Sequence, residues 1–159
     1  MRIRKASDDD FEAIVSIQRK APQAAQWTQA DYANLAHDPW GLILVAELDT
    51  LSPPTIAGFA AFHRVMDEAE LRNMAVAPVH QRQGVGRGLL AEGRRWLMEQ
   101  GVRQIYLEVR ASNISAQRLY YSAGFGLRSR RIDYYNDPRE DGLVLSLELS
   151  PPVELPSVR

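Results

Sequence analysis

The sequence predicts an α/β fold, with about seven strands in one mixed, mostly antiparallel sheet and about four helices flanking it. Three observations predict it. Seven segments carry the β-branched runs or apolar–polar alternation of strands. Four others place apolar residues at helical spacing behind a capping residue. Their order runs strand, two helices, three strands, βα units and a closing strand pair, which fits neither strict βα alternation nor an all-β chain.

Taken in order, "RIRKA" is a short first strand, with Ile3 apolar among basic residues. Ser7 followed by Asp10 is a capping-box variant, and Phe11, Ile14, Val15 and Ile17 form the apolar stripe of a helix behind it. Thr28 with Asp31 starts a second, shorter helix through Tyr32 and Leu35. "GLILVAEL" is a strand, ended by the breaker-rich "DTLSPPT". "IAGFAAFHRV" and "AELRNMAVA" are the next two strands, joined by the acidic turn "MDEA". A helix spans about residues 85–100, with Gly101 to end it. In "VRQIYLEVR", Ile105, Leu107 and Val109 face one way and Tyr106, Glu108 and Arg110 the other. Asn113 caps a helix through Leu119 and Tyr120 to Gly124. Strands at about 125–135 and 142–149 flank the turn "NDPREDG". Residues 1–150 are expected to form one domain and the proline-rich segment 151–159 a loose tail.

Composition narrows the function. Apolar residues make up 45% and charged residues 25%, as in ordinary globular proteins, and the formal charge of −1 offers no general attraction to nucleic acid. No apolar run approaches the length of a membrane span, and "MRIRKASDDD" lacks a signal peptide's apolar stretch, so a cytoplasmic protein without membrane contact is expected. Cysteine is absent, which removes disulfides, thiolate metal sites and any cysteine nucleophile. His37, His63 and His80 lack ligand spacing, so no metal is expected.

The segment "VAPVHQRQGVGRGLL", residues 76–90, places three glycines on alternate positions where a helix begins. A P-loop would need Lys and Ser/Thr after its last glycine, where Leu89 and Leu90 stand. A dinucleotide turn needs G-x-G-x-x-G, whereas Gly84, Gly86 and Gly88 give G-x-G-x-G. Two readings stay open on the glycines alone: a tight strand-to-helix turn with close packing, or an acyl-coenzyme A pyrophosphate site in which backbone N–H groups and the helix dipole meet the phosphates, aided by Arg82 and Arg87.

Gln81-Arg82-Gln83-Gly84-Val85-Gly86 matches Q/R-x-x-G-x-G/A, and here the chain resembles the GNAT N-acetyltransferase superfamily. "LEVRASN" (107–113), "LYYSAGF" (119–125), Arg130 and Arg131 ahead of Tyr134-Tyr135, and "EDGLVLSLEL" narrow the resemblance to the ribosomal-protein-alanine N-acetyltransferases, the RimI type. It covers residues 55–149 well and 1–50 in outline. It implies the GNAT fold, acetyl-CoA as co-substrate and direct transfer of acetyl to an amine, with which the missing cysteine agrees. It implies two parallel strands splayed by a bulge, admitting the coenzyme against the backbone of Met74, Ala75 and Val76. Arg82, Gln83, Gly84, Val85, Gly86 and Arg87 would hold the pyrophosphate, with Asn113 and Tyr120 as further coenzyme contacts.

Alternation turns Glu108 away from the apolar face, so that it can look into a cleft, and the resemblance makes it the general base, a role that burial beside aromatics would favour. Tyr120, a phenol protonated at neutral pH, is by the same resemblance the acid that protonates the thiolate; Tyr121 reads as a core tyrosine. Trp27, Asp67, Glu68, Tyr134 and Tyr135 are acceptor-side candidates, with Glu70 completing the acidic turn. The acceptor expected is a protein N-terminus, ribosomal by resemblance, because an α-amine needs less help from a base than lysine. Gln26 replaces the proline usual before the Trp of this group, so acceptor choice is where the resemblance is thinnest. A lysine or small amine as acceptor, and a non-catalytic acyl-CoA sensor, remain alternatives. A monomer without direct contact to nucleic acid is expected.

Overall fold

The computed structural model describes residues 1–50, 52–149 and 156–157, so the loose tail expected at 151–159 falls outside the described residues except at Pro156 and Ser157. Seven strands form one sheet in the order β1-β2-β3-β4-β5-β7-β6. β1 (Arg2–Lys5), β2 (Gly41–Leu48), β3 (Thr55–Val65) and β4 (Glu68–Val76) are successive antiparallel neighbours. The β3–β4 hairpin turns on Met66 and Asp67, with Met66 at φ 59°. β5 (Gln104–Arg110) runs parallel to β4, joined to it through α3 (Val85–Glu99). β7 (Glu140–Glu148) pairs antiparallel with β5 on one side and with β6 (Gly126–Tyr135) on the other. This is the mixed, mostly antiparallel sheet that the sequence predicts, with α1 (Phe11–Arg19), α2 (Gln29–His37), α3 and α4 (Ile114–Ser122) as its four helices.

The helix starts follow their caps. Thr28 Oγ1 accepts from Asp31 N at 3.2 Å while Asp31 Oδ2 accepts from Thr28 N at 2.8 Å, closing a reciprocal box. Ser7 and Asp10 interact likewise, Ser7 N to Asp10 Oδ2 at 2.7 Å, but they open a 3-10 turn, Asp8–Asp10, ahead of α1. Asp10 is also held by Arg4, its Oδ2 2.7 Å from Nη1, a pull the sequence pattern did not contain. Gly101, at φ 83°, follows the last turn of α3 as expected.

Each face of the sheet has its own core. α3 and α4 cover Leu44, Phe62, Ile105, Leu107 and Leu145, while α1 and α2 cover Val45, Phe59 and Ala61. Strand β4 changes sides between them. Phe62 pairs with Leu71 but Ala61 pairs with Asn73, so Arg72 is an extra residue on β4. Residues 69, 71, 73 and 75 would share one face of a regular strand. Instead Ala69 and Leu71 lie in the α3 core, whereas Ala75 lies in the α1/α2 core and Asn73 bonds to Gln18 of α1. The parallel ladder ends here as well: only Glu68, Ala69 and Glu70 pair with Gln104, Ile105 and Tyr106.

Close packing of α3 on β3 depends on a missing side chain. A Cβ at Gly93 would lie 2.5 Å from the fully buried Phe62 ring. Gly93→Ala gains at most about 1 kcal/mol of helix propensity, against ~1–3 kcal/mol for overpacking a rigid core. The expected outcome is net destabilisation, read as a lower urea midpoint with unchanged slope.

Candidate active site

The turn before α3 combines two left-handed residues, Arg82 at φ 61° and Gly84 at φ 81°. Gly84 is the N-cap, and its carbonyl accepts the N–H of Gly88 at 3.0 Å. Helix geometry therefore leaves the N–H groups of Val85, Gly86 and Arg87 without partners inside α3, at the positive end of a 15-residue dipole. Arg82, Gln83 and Arg87 are exposed around them. The three glycines differ. A Cβ on Gly84 would meet nothing within 4 Å, while one on Gly86 would meet Leu119 Cδ2 at 2.9 Å and one on Gly88 would meet Met1 Cε at 2.9 Å. Gly84 thus serves the backbone conformation beside open space, and Gly86 and Gly88 serve close packing.

Below this turn the splay opens. β3 covers one edge of β4, and β7 pairs with the whole of β5, so the facing edges, residues 72–76 and 107–110, have no strand between them. Met74, Ala75 and Val76 line one of these edges. Asn113 Oδ1 caps α4 by accepting from Ala116 N at 3.2 Å. The buried Gln117 side chain donates to Arg110 O at 3.2 Å and Ala111 O at 2.9 Å, clamping α4 onto the end of β5. That clamp sets Tyr120, which is 9% exposed and packs on Phe125 with ring centroids 5.8 Å apart. Burial, then the neighbouring Tyr135, pushes the Tyr120 phenol up to about 12. Tyr121 is not a core residue as expected: α4 turns it outward and leaves it 43% exposed.

On the opposite face of β5 stands Glu108, as the alternation predicts. Its setting is only partly buried. The side chain is 27% exposed and lies 3.5 Å from Arg131 Nη1, because β6 crosses at the sheet edge, where no helix covers it. Tyr134 and Tyr135 both approach Glu108. Hydrogen bonding to Glu108, then burial, raises the Tyr134 phenol, and burial followed by the Glu108 charge raises Tyr135 to about 12. Two consecutive strand residues meet one carboxylate because β6 is irregular: between Arg131, opposite Gly142, and Tyr135, opposite Glu140, it carries extra residues, with Asp133 at φ 52°. Asp141 holds this bulge, accepting Asp133 N at 2.9 Å and Arg130 Nε at 2.6 Å. Gly142 leaves room for it, since a Cβ there would be 3.0 Å from the Tyr134 ring. Arg110 stacks on Tyr135, 4.4 Å from its centroid.

The other acceptor-side candidates disperse. Glu68 accepts from the Tyr106 hydroxyl at 3.0 Å, and Asp67 stays in the hairpin, its carbonyl accepting Arg103 N at 2.6 Å. Glu70 reaches the Tyr134 side and an open groove of about 450 Å³, which Trp27, Asp31, Asp38, His63 and Arg72 also line. Sequence reasoning missed Tyr106, Arg72 and Asp141. Tyr106 alternates with Glu108 and was legible in the same period; Arg72 and Asp141 act through bulges, which leave no periodic signal. Among the described residues no cluster could hold a metal ion, and no helix is long and apolar enough to cross a membrane.

Known proteins share this sequence family and fold. The acetyltransferase (GNAT) family model matches residues 3–125. The chain is 46% identical over 143 residues to the [ribosomal protein bS18]-alanine N-acetyltransferase of Escherichia coli K12, covering 89% of this chain and 93% of that protein. The crystal structure of the ribosomal-protein-S18-alanine N-acetyltransferase from Escherichia coli superposes with a TM-score of 0.81 and 34% identity over 96% of each chain. The yncA structure from Salmonella typhimurium, solved with its cofactor acetyl-CoA, shares the fold at a TM-score of 0.80 and 22% identity, covering 99% of both chains.

The unequal glycines predict unequal substitutions. Gly84→Ala forces a left-handed φ at a cost of ~1–2 kcal/mol and projects a methyl into the open space beside the turn, so coenzyme A titrated by calorimetry should bind about tenfold more weakly or worse. Gly86→Ala displaces only the flexible end of Leu119 and should leave binding within about threefold, less than the tenfold that 1.4 kcal/mol represents.

Proposed function

The chain belongs to the acetyltransferase (GNAT) family, and from that premise we propose that it transfers acetyl from acetyl-CoA directly to the N-terminal α-amine of a protein, a ribosomal protein in the first instance. One observation carries the reading: an amide-edged gap between β4 and β5 is flanked by Tyr120 on one face and Glu108 on the other. The first-turn amides of Val85, Gly86 and Arg87, which have no partners inside α3, take the pyrophosphate, with Arg82, Gln83 and the Gly84 turn beside them. The pantetheine arm pairs with Met74, Ala75 and Val76, and an N–H of that strand polarises the thioester oxygen. Asn113 completes the coenzyme side.

The amine nitrogen attacks the thioester carbonyl, forming a C–N bond as the C–S bond breaks. The amine proton passes to Glu108, and the departing thiolate takes the Tyr120 proton. No cysteine exists to form an acyl-enzyme. Glu108 sits at the surface of the cleft, paired with a half-exposed Arg131, and so meets an incoming ammonium without a buried charge to desolvate. An α-amine asks less of its base than lysine does. At pH near 7.5, freeing one costs a few tenths of a kcal/mol, against about 4 kcal/mol for lysine. Trp27, Tyr134 and Tyr135 border the acceptor, and Asp67 and Glu68 contribute charge at the mouth. The name of the Escherichia coli relative supports the acceptor class. The enzyme acts in the cytoplasm as a monomer, on protein rather than on nucleic acid or membrane, and the net charge of −1 agrees.

Glu108→Gln and Tyr120→Phe are each expected to lower kcat at least about tenfold while coenzyme binding holds. Unchanged turnover in both would remove the catalytic roles, and the absence of turnover in the unmodified chain would favour a sensor. Peptides with free N-termini should be acetylated and the same peptides with blocked N-termini spared; equal rates would point to lysine instead.

The pH profile follows from the same groups. The acceptor α-amine, with pKa about 8, must lose its proton, so kcat/KM should rise with pH up to about 8. Tyr120, raised to about 12, keeps its proton well beyond that point, so no basic limb should appear below about pH 10. A fall in rate just above pH 9 would exclude Tyr120 as the acid.

A further inference from the structure

Two side-chain amides, buried between the sheet and α1, grip the backbone of the loop between α1 and α2. Asn73 Oδ1 accepts from Ala25 N at 3.2 Å, and its Nδ2 donates to Ala25 O at 3.0 Å. Gln18 does the same two residues on: Oε1 accepts from Trp27 N at 3.1 Å, and Nε2 donates to Trp27 O at 2.7 Å. Gln26 between them faces solvent. Each amide therefore acts as a neighbouring strand would, satisfying both main-chain groups of alternate residues. The amides are tied together through Asn73 Nδ2, 3.3 Å from Gln18 Oε1 and 2.8 Å from the Tyr32 hydroxyl, which itself donates to Gln18. Asn73 is 5%, Gln18 2% and Tyr32 0% exposed, so a lost bond here leaves a partner without water to replace it.

The position of Asn73 gives the grip its meaning. It immediately precedes Met74 and faces α1 only because Arg72 bulges out of β4. The irregularity that ends pairing with β5 also aims this amide at the loop. We propose that Asn73 and Gln18 are positioning residues for the acceptor, setting the height of Trp27 over the Met74–Val76 edge so that the amine and the acetyl group meet in register. This rests on the acetyl-transfer reading for the gap itself, but the tether can be measured apart from it.

The test compares Asn73→Ala with Tyr32→Phe. Both remove a polar group from the same buried network. Among the described residues, however, the Tyr32 hydroxyl bonds only to Gln18 and Asn73, and its ring, whose centroid lies 5.1 Å from that of Trp27, is kept by Phe. Asn73→Ala is expected to raise KM for a free-N-terminal peptide about tenfold while the Kd of coenzyme A stays within about twofold; Tyr32→Phe should leave KM within about twofold. In a background with Trp40→Phe and Trp96→Phe, Trp27 emission should move to longer wavelength in Asn73→Ala and stay put in Tyr32→Phe. Equal KM increases in the two variants, or an unmoved KM and emission in Asn73→Ala, would overturn the proposal. Should Asn73→Ala not fold, Gln18→Glu, which replaces the donor to Trp27 O with a carboxyl oxygen, is read by the same two measurements. If the unmodified chain acetylates no peptide, the functional reading fails, while the emission result alone upholds or overturns the tether.

Discussion

Parallel pairing between β4 and β5 stops after three residue pairs, and the peptide groups beyond it face one another with no strand between them. Backbone N–H and C=O groups that are drawn away from solvent must find partners, and sheets normally supply them. Here the outer edges are satisfied, β4 by β3 and β5 by β7, while the inner edges form a slot lined by amides. Such a slot complements an extended ligand that carries amides of its own, which is the chemistry of a pantetheine arm. The extra residue at Arg72 turns β4 where the ladder with β5 has ended, and the N-terminus of α3 offers unpaired N–H groups to the anionic end of such a ligand.

The two ionisable groups beside the slot live in different solvents. Tyr120 is enclosed by α4, Phe125 and the end of β5, so its phenol is held neutral far above physiological pH. Glu108, on the same strand system but the opposite face, stays in contact with water and with Arg131. A phenol kept dry and a carboxylate kept wet thus stand on opposite faces of one strand system. The β6 bulge adds a third element. By placing Tyr134 and Tyr135 on one side, it sets two phenols beside Glu108, Tyr134 raised first by hydrogen bonding to it and Tyr135 first by burial. Asp141 and Gly142 are what allow it, one as acceptor and one as space.

The loop between α1 and α2 is tied to the same irregularities. Asn73 looks toward α1 because β4 has slipped by one residue, and through Asn73 the loop bearing Trp27 is referenced to the strand that would hold the thioester. Coenzyme side and acceptor side thus share one piece of backbone, so an error in strand register would misplace both.

Local pattern was enough for a good deal of this protein. The seven strands and four helices, the Thr28–Asp31 box, the Asn113 cap, the alternation that turns Glu108 away from Ile105 and Leu107, and the glycine signature ahead of α3 could all be read along the chain, because each depends on residues within one element. Tertiary structure alone decided the rest. Whether Tyr121 is buried, which glycine faces open space, that Arg72 is an extra residue, and that Asn73, Tyr134 and Tyr135 point where they do all depend on the element lying alongside. Periodicity counts residues along one strand, whereas a bulge is defined only against the partner's register, and burial only against what covers it.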